Sequence, residues 1–203
     1  MESYTNSPVL IFGGGFNPPT LAHQEIINAC LGLPDFTEVW VMPSGNRFDK
    51  QMNVDDSDRL EMLNLIKQYE FNNNSRLKIS DFELHLPRPT QTYKTVAALK
   101  ALHSNIDFWF TFGADSYQGM PNWDRGLELQ SSLNMVIFER GNTDMPQRED
   151  IIKLRLNDHN GLSSTEARIA ACDNRPLEGF VCQSVKRYIE KRNLYRTMVQ
   201  KKS

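Results

Sequence analysis

The stretch VLIFGGGFNPPTLAHQE, residues 9–25, runs from an apolar, β-branched segment through three glycines and two prolines into a helical pattern that carries one histidine. A strand that ends in glycines and turns straight into a helix is the opening unit of a parallel α/β sheet. Glycine lets the backbone approach a ligand closely. Pro18-Pro19-Thr20 opens the helix, and proline suits a first turn because its missing N–H has no partner there. A helix start presents N–H groups and a partial positive charge, so Gly13, Gly14 and Gly15 read as a candidate phosphate loop, with His23 one turn into the helix. A tight strand-to-helix turn with a histidine in the core or at the surface leaves the same trace, so the loop needs partners elsewhere in the chain.

Working outward, short apolar runs recur at 8–12, 38–42, 77–82, 107–112 and 134–138, and helical patterns fall between them near 19–31, 58–70, 92–103 and 123–130. In the second helix Asp58 reads as the N-cap, with Glu61 three residues on and Leu60, Leu63 and Ile66 as the apolar stripe. Continuous apolar strands alternating with helices predict a doubly wound parallel sheet covered on both faces. "SSTEARIAA" and "SVKRYIEKRNLY" predict C-terminal helices on the same domain, so residues 1–203 read as one domain. Ligands on such sheets bind at the carboxyl ends of the strands, where the strand order reverses.

Two familiar phosphate loops are excluded. A P-loop, GxxxxGK followed by Ser or Thr, has no lysine at the required offset, and a GxGxxG fingerprint from Gly13 would need glycine where Pro18 stands. A net charge of −2, a pI near 6.1 and a mean hydropathy of −0.52 give no sign of a generally basic surface for polymeric nucleic acid or a membrane. No run approaches the roughly 18 apolar residues of a spanning helix, and the first ten residues lack a secretory pattern. Three cysteines with no CxxC pair read as reduced thiols in a cytoplasmic protein, and no metal-ligand spacing stands out. His85, His103 and His159 read as solvated.

The loop resembles the GGxFxPxHxGH signature of the adenylyltransferase superfamily in its (H/T)xGH form, reading Gly13-Gly14-Gly15-Phe16-Asn17-Pro18-Pro19-Thr20-Leu21-Ala22-His23. Thr20 stands where many bacterial members have the first His, and Ala22 replaces the glycine before His23. Ser163-Ser164-Thr165-Glu166-Ala167-Arg168 resembles the ISSTxxR element, whose hydroxyls and arginine suit the β- and γ-phosphates. Each element also has a plain reading: a lone SST is more often an ordinary helix cap.

"FGADSYQGMPNW", residues 112–123, is similar to the GaDsxxxxxxW block of nicotinate and nicotinamide mononucleotide adenylyltransferases. The resemblance implies that Asp115 reaches the nucleotide ribose, that Trp123 stacks on the pyridine ring and that Gly113 lies in the same substrate site. An aromatic face and a two-oxygen acceptor suit those tasks, although a capping Asp and a core Trp fit the same letters. "TYKTVAAL" resembles the TxxT element near the nicotinate group, giving Thr92 and Thr95. "MPSGNRFDKQ" resembles the segment that ends in a phosphate-binding lysine, here Lys50, with RFDK in place of PPHK.

Together the blocks run from residue 9 to 195 in family order. They imply a Rossmann-like fold and transfer of AMP from ATP to nicotinate mononucleotide, giving deamido-NAD and pyrophosphate, with Mg²⁺ arriving with ATP. His23, Thr20 and Arg168 would carry the chemistry. Gly13, Gly14, Gly15, Phe16, Lys50, Ser163, Ser164 and Thr165 would hold ATP, and Asn17 would join Thr92, Thr95, Gly113, Asp115 and Trp123 at the mononucleotide. Asn17 and Thr20 occur more in amide-using relatives, so nicotinamide mononucleotide stays open as main or equal substrate. Phosphopantetheine adenylyl transfer, CMP transfer, a non-catalytic nucleotide-binding regulator and a homo-oligomer also stay open.

Overall fold

In the computed structural model the described residues are 7–45, 52–139, 143–156 and 162–196. Lys50 and His159 lie outside them.

Six strands form one parallel sheet in the order β3-β2-β1-β4-β5-β6. They are β1 (Ser7–Gly14), β2 (Glu38–Pro43), β3 (Leu77–Ile79), β4 (Ile106–Gly113), β5 (Asn134–Phe138) and β6 (Ile151–Leu154). The helices are α1 (Leu21–Leu31), α2 (Asp56–Tyr69), α3 (Thr92–Leu102), α4 (Ala114–Gly119), α5 (Gly126–Ser132), α6 (Ser164–Cys172) and α7 (Gln183–Arg192). This is the doubly wound parallel sheet that the alternation predicts and the Rossmann-like fold that the resemblance implies. The order reverses between β1 and β4, which pair in register from Ser7↔Ile106 to Phe12↔Thr111. Their carboxyl ends therefore lie side by side at the topological switch point.

Alternation along each strand divides the core. Val9 and Ile11 pack with Phe108, Phe110, Val96 and Leu99 on one face. Leu10 and Phe12 pack with Ile26, Ile27, Cys30 and Leu63 on the other. A third cluster joins α2, α6 and α7 through Met62, Ile66, Ala170, Val185 and Ile189, so the C-terminal helices do pack on the sheet's own helical layer.

The structure changes several element boundaries. α2 begins two residues earlier than read, with Asp55 at its N-cap. Asp58 is 4% exposed and accepts from Tyr188 Oη at 2.8 Å and from Arg192 Nε at 3.3 Å, tying α2 to α7 instead of capping. The buried stripe is Arg59, Met62, Leu63 and Ile66, not one led by Leu60. Pro18 and Pro19 precede the N-cap Thr20 and are outside the helix proper. β3 stops at Ile79, and β6, a four-residue strand, has too short an apolar run to stand out in the sequence. His103 is not simply solvated: it packs edge-on against Trp40 and Phe108. Among the described residues no helix is long and apolar enough to cross a membrane.

Candidate active site at the switch point

The glycine loop is built by packing before any ligand is considered. Phe16 takes a positive φ of 45° and turns its ring back over the loop. A Cβ on Gly14 would come within 3.0 Å of that ring, so any larger residue there would crowd the Phe16 side chain; a Cβ on Gly13 would meet nothing. Phe16 is 1% exposed and sits edge-on to Phe12 (5.3 Å) and His23 (5.0 Å).

Three side chains from two elements distant in sequence, α2 and α6, then hold the loop's carbonyls. Arg59 Nη1 donates to Gly15 O at 3.0 Å. Arg168 Nη1 donates to Asn17 O at 2.7 Å, and Ser164 Oγ donates to Pro18 O at 2.8 Å. Asn17 and Thr20 are buried, at 6% and 0%. Asn17 Nδ2 reaches Asn53 Oδ1 at 3.4 Å, while its own Oδ1 has no partner among the described residues.

At the start of α1 the Thr20 N–H donates to His23 Nδ1 at 2.9 Å, and Thr20 Oγ1 lies 2.8 Å from the same nitrogen. A ring whose Nδ1 accepts from a backbone N–H carries its hydrogen on Nε2 when neutral, so the box that starts the helix also fixes the histidine tautomer. The first N–H of the helix, Leu21, is already taken by Phe180 O at 2.9 Å. The helix start therefore does not present a full row of open amides.

The SST element divides its tasks. Ser163 caps α6, accepting from Glu166 N at 3.2 Å in a reciprocal box, which is the ordinary reading of such a serine. Ser164 holds the loop, and Thr165 Oγ1 accepts from Arg168 Nη2 at 3.0 Å. Arg168 is half-buried, and burial pulls its pKa below the usual arginine value while the nearby Tyr195 hydroxyl opposes that shift. It stays cationic at any physiological pH. Among the described residues no carboxylate pairs with it; its two hydrogen bonds go to a carbonyl and a hydroxyl. A cation held this way, partly desolvated and with no counter-charge among the described residues, has the chemistry to meet an anion.

Beside this, β4 ends at Gly113, which is buried and caps α4. Asp115 is exposed in the first turn of α4, and its Oδ1 accepts from Ser116 N at 2.8 Å. Trp123 is half-buried, with its ring tilted 64° to Phe112 at 6.0 Å. Arg125 lies over the Tyr93 ring at 5.4 Å, which brings the start of α3 to the same corner. Thr92 opens α3 half-buried. Thr95 is 4% exposed, and its hydroxyl donates back to Gln91 O at 3.4 Å, a contact internal to the helix start.

The sequence reading missed Arg59, Asp56 and Arg88. The signal was present for the first: Arg59 stands at the head of the i, i+3, i+4, i+7 spacing completed by Met62, Leu63 and Ile66, and a charged residue inside a buried stripe needs a polar task.

The comparisons with known proteins agree with this architecture. The Cytidylyltransferase-like family model matches residues 11–170. A "Probable nicotinate-nucleotide adenylyltransferase" of Geobacillus thermodenitrificans is 30% identical over 187 residues, covering 91% of this chain and 84% of its own. One of the same name from Fusobacterium nucleatum is 27% identical, covering 90% and 97%. Among solved structures, the Plasmodium falciparum nicotinic acid mononucleotide adenylyltransferase complexed with NaAD superposes with a TM-score of 0.84 at 26% identity, over 96% of this chain and all of the other. The same enzyme complexed with APC gives 0.83 at 25%. With a loop clamped at the switch point and relatives aligned over nearly its whole length, the chain belongs to the cytidylyltransferase-like family, within its group of nicotinate-nucleotide adenylyltransferases.

Proposed function

We propose that the protein transfers the adenylyl group of ATP to nicotinate mononucleotide, forming deamido-NAD and pyrophosphate in NAD biosynthesis. The family and the relatives' names support the reaction class, and the observation that carries it in this chain is Arg168: a half-buried guanidinium without a described carboxylate partner, locked to Asn17 O on the loop that leads into the helix of His23. The switch-point position, between Gly13 on one strand and Gly113 on its neighbour, suits a nucleotide lying across the sheet edge.

In this reading a phosphate oxygen of the mononucleotide attacks the α-phosphorus of ATP in line. The new P–O bond forms as the bond from the α-phosphorus to the bridging oxygen breaks, and pyrophosphate leaves with that electron pair. No covalent enzyme intermediate is needed, so the protein's work is positioning and charge stabilisation. His23 offers its Nε2 hydrogen to the α-phosphate, oriented by Thr20. Arg168 neutralises the departing pyrophosphate, with Ser164 and Thr165 fixing the loop and the guanidinium. Lys50, outside the described residues, would add a second cation. Asp115 accepts from ribose hydroxyls and Trp123 offers its face to the pyridine ring, near Thr92.

The groups gathered at the loop are cationic, hydroxyl and amide donors, which fit a phosphate chain better than a bare metal ion. Mg²⁺ arriving with ATP would supply charge neutralisation on the phosphates, and the described residues offer no acidic cluster to hold it separately.

The test is pyrophosphate release from ATP and Mg²⁺ with nicotinate mononucleotide and its amide compared under identical conditions. Release with a clear preference for the acid is expected. Equal rates would assign both mononucleotides as substrates. ATP binding without release on either would overturn the proposal and leave another transferase or a nucleotide-binding regulator.

A further inference from the structure

Behind the glycine loop lies a chain of charge that none of the roles above uses. Arg59 Nη1 holds Gly15 O, and Arg59 Nη2 donates to Asp56 Oδ1 at 2.6 Å. The other Asp56 oxygen accepts from Arg88 Nη2, also at 2.6 Å. The side chains grade from closed to open: Arg59 is 0% exposed, Asp56 27% and Arg88 47%. Asp56 is thus the described carboxylate that compensates a fully buried guanidinium, a partnership costly to break from either side.

The outer end of this chain is placed with equal firmness. Arg88 stands two residues before Thr90, which is 2% exposed. Thr90 presses on the carboxyl end of β2 so tightly that a Cβ on Gly45 would come within 2.8 Å of its methyl. From Thr90 the chain enters α3, which begins at Thr92. One carboxylate therefore ties the segment that leads into α3 to the loop on the far side of β2.

We propose that Asp56 is a positioning residue that couples the two substrate sides of the site, one oxygen holding Arg88 before α3 and the other holding Arg59 on the glycine loop. That the two ends serve mononucleotide and ATP rests on the function proposed above. Asp56 also lies in the first turn of α2, where a carboxylate simply offsets the helix dipole. A dipole role alone would not make the effect of Arg88 depend on Asp56.

The experiment uses the full chain and measures the Kd of an α,β-methylene ATP analogue with Mg²⁺, the KM for each substrate, and the urea midpoint. Although Arg88 lies on the mononucleotide side, Arg88→Ala is expected to weaken the ATP analogue about threefold, the scale of a half-exposed ion pair. Asp56→Asn is expected to weaken it about tenfold, because it unsettles the buried Arg59. The double variant should be no worse than Asp56→Asn alone, and Arg88→Lys should recover most of the loss. Arg88→Ala with an unchanged Kd, losses that multiply in the double variant, or a shift confined to the urea midpoint would each overturn the proposal. Should Asp56→Asn fail to fold, the Ala and Lys variants at exposed Arg88 still decide, since recovery by lysine is required. Analogue binding with this coupling but no product formation would sink the assigned reaction and leave the coupling standing; no binding at all would sink both.

Discussion

The two strand ends that meet at the switch point are built differently. The loop after β1 is closed: Phe16, Asn17 and Thr20 are buried, and the carbonyls of Gly15, Asn17 and Pro18 are each taken by a side chain from α2 or α6. The segment after β4 is open: Asp115 and Arg125 are exposed, and Trp123 is half-buried. The difference fits the roles proposed above for the two ends. Stabilising a pentavalent phosphorus requires donors fixed beforehand, because reorganising them during the reaction would cost the advantage they give. Recognising a flat ring and a ribose tolerates side chains that settle when the ligand arrives. Variants on the closed side should therefore act on turnover, and variants on the open side on substrate affinity.

His23→Ala is the severest break of that rule to attempt. The variant removes the Nε2 donor and also half of the contact that starts α1. We expect kcat to fall about 100-fold or more, the scale seen when one preorganised donor is lost. Steady-state rates at saturating ATP and mononucleotide, read beside the urea midpoint, separate the two effects. An unchanged kcat would remove His23 from the chemistry and leave it as a capping residue.

On the open side Trp123→Ala should leave kcat close to the parent and raise the KM for the mononucleotide about tenfold, as expected for one lost aromatic stacking contact. The KM for ATP should stay where it is. Equal changes in both KM values would mean that Trp123 acts by packing on Phe112 and shaping the sheet edge, since their rings already meet at 6.0 Å. The contrast between the two strand ends would then be one of rigidity alone.

The fold was legible because its signals are local. Strands that read as apolar runs and a glycine turn into a helix require only the near sequence, and the parallel order follows from the alternation. The resemblance added candidate site residues by position. What the sequence could not show is which hydroxyls are committed: Ser163 and Ser164 are adjacent, yet one caps its own helix and the other reaches back to Pro18, 146 residues away. Asp58 was misread for a related reason. Capping is scored on neighbours three residues away, whereas its partners Tyr188 and Arg192 arrive from α7, more than a hundred residues on. Arg59 was passed over because a helix stripe is recognised by apolar letters. Its burial makes sense only with Gly15 and Asp56 in place around it.

The smallest effect is expected where the closed side is braced from behind. Tyr188 donates to Asp58, and burial, with that carboxylate adding to it, pushes the phenol from 10.0 up to about 12. The folded protein therefore resists ionising this group. The stability it contributes is fully present below pH 10, where the unfolded phenol begins to ionise, and is lost as the pH rises through about 12. Tyr188→Phe should remove that alkaline slope and lower stability near neutrality by about 1 kcal/mol, the worth of one hydrogen bond, with Arg192 still on Asp58. Urea midpoints between pH 7 and 11 read both quantities. Because the brace joins α2 to α7 and does not touch the loop carbonyls, kcat should stay within about twofold of the parent, a change worth less than 0.5 kcal/mol at the barrier. A larger fall in kcat would show that the preorganisation of the glycine loop extends through α2 to the C-terminal helix, and that the closed side is larger than the three carbonyl clamps define.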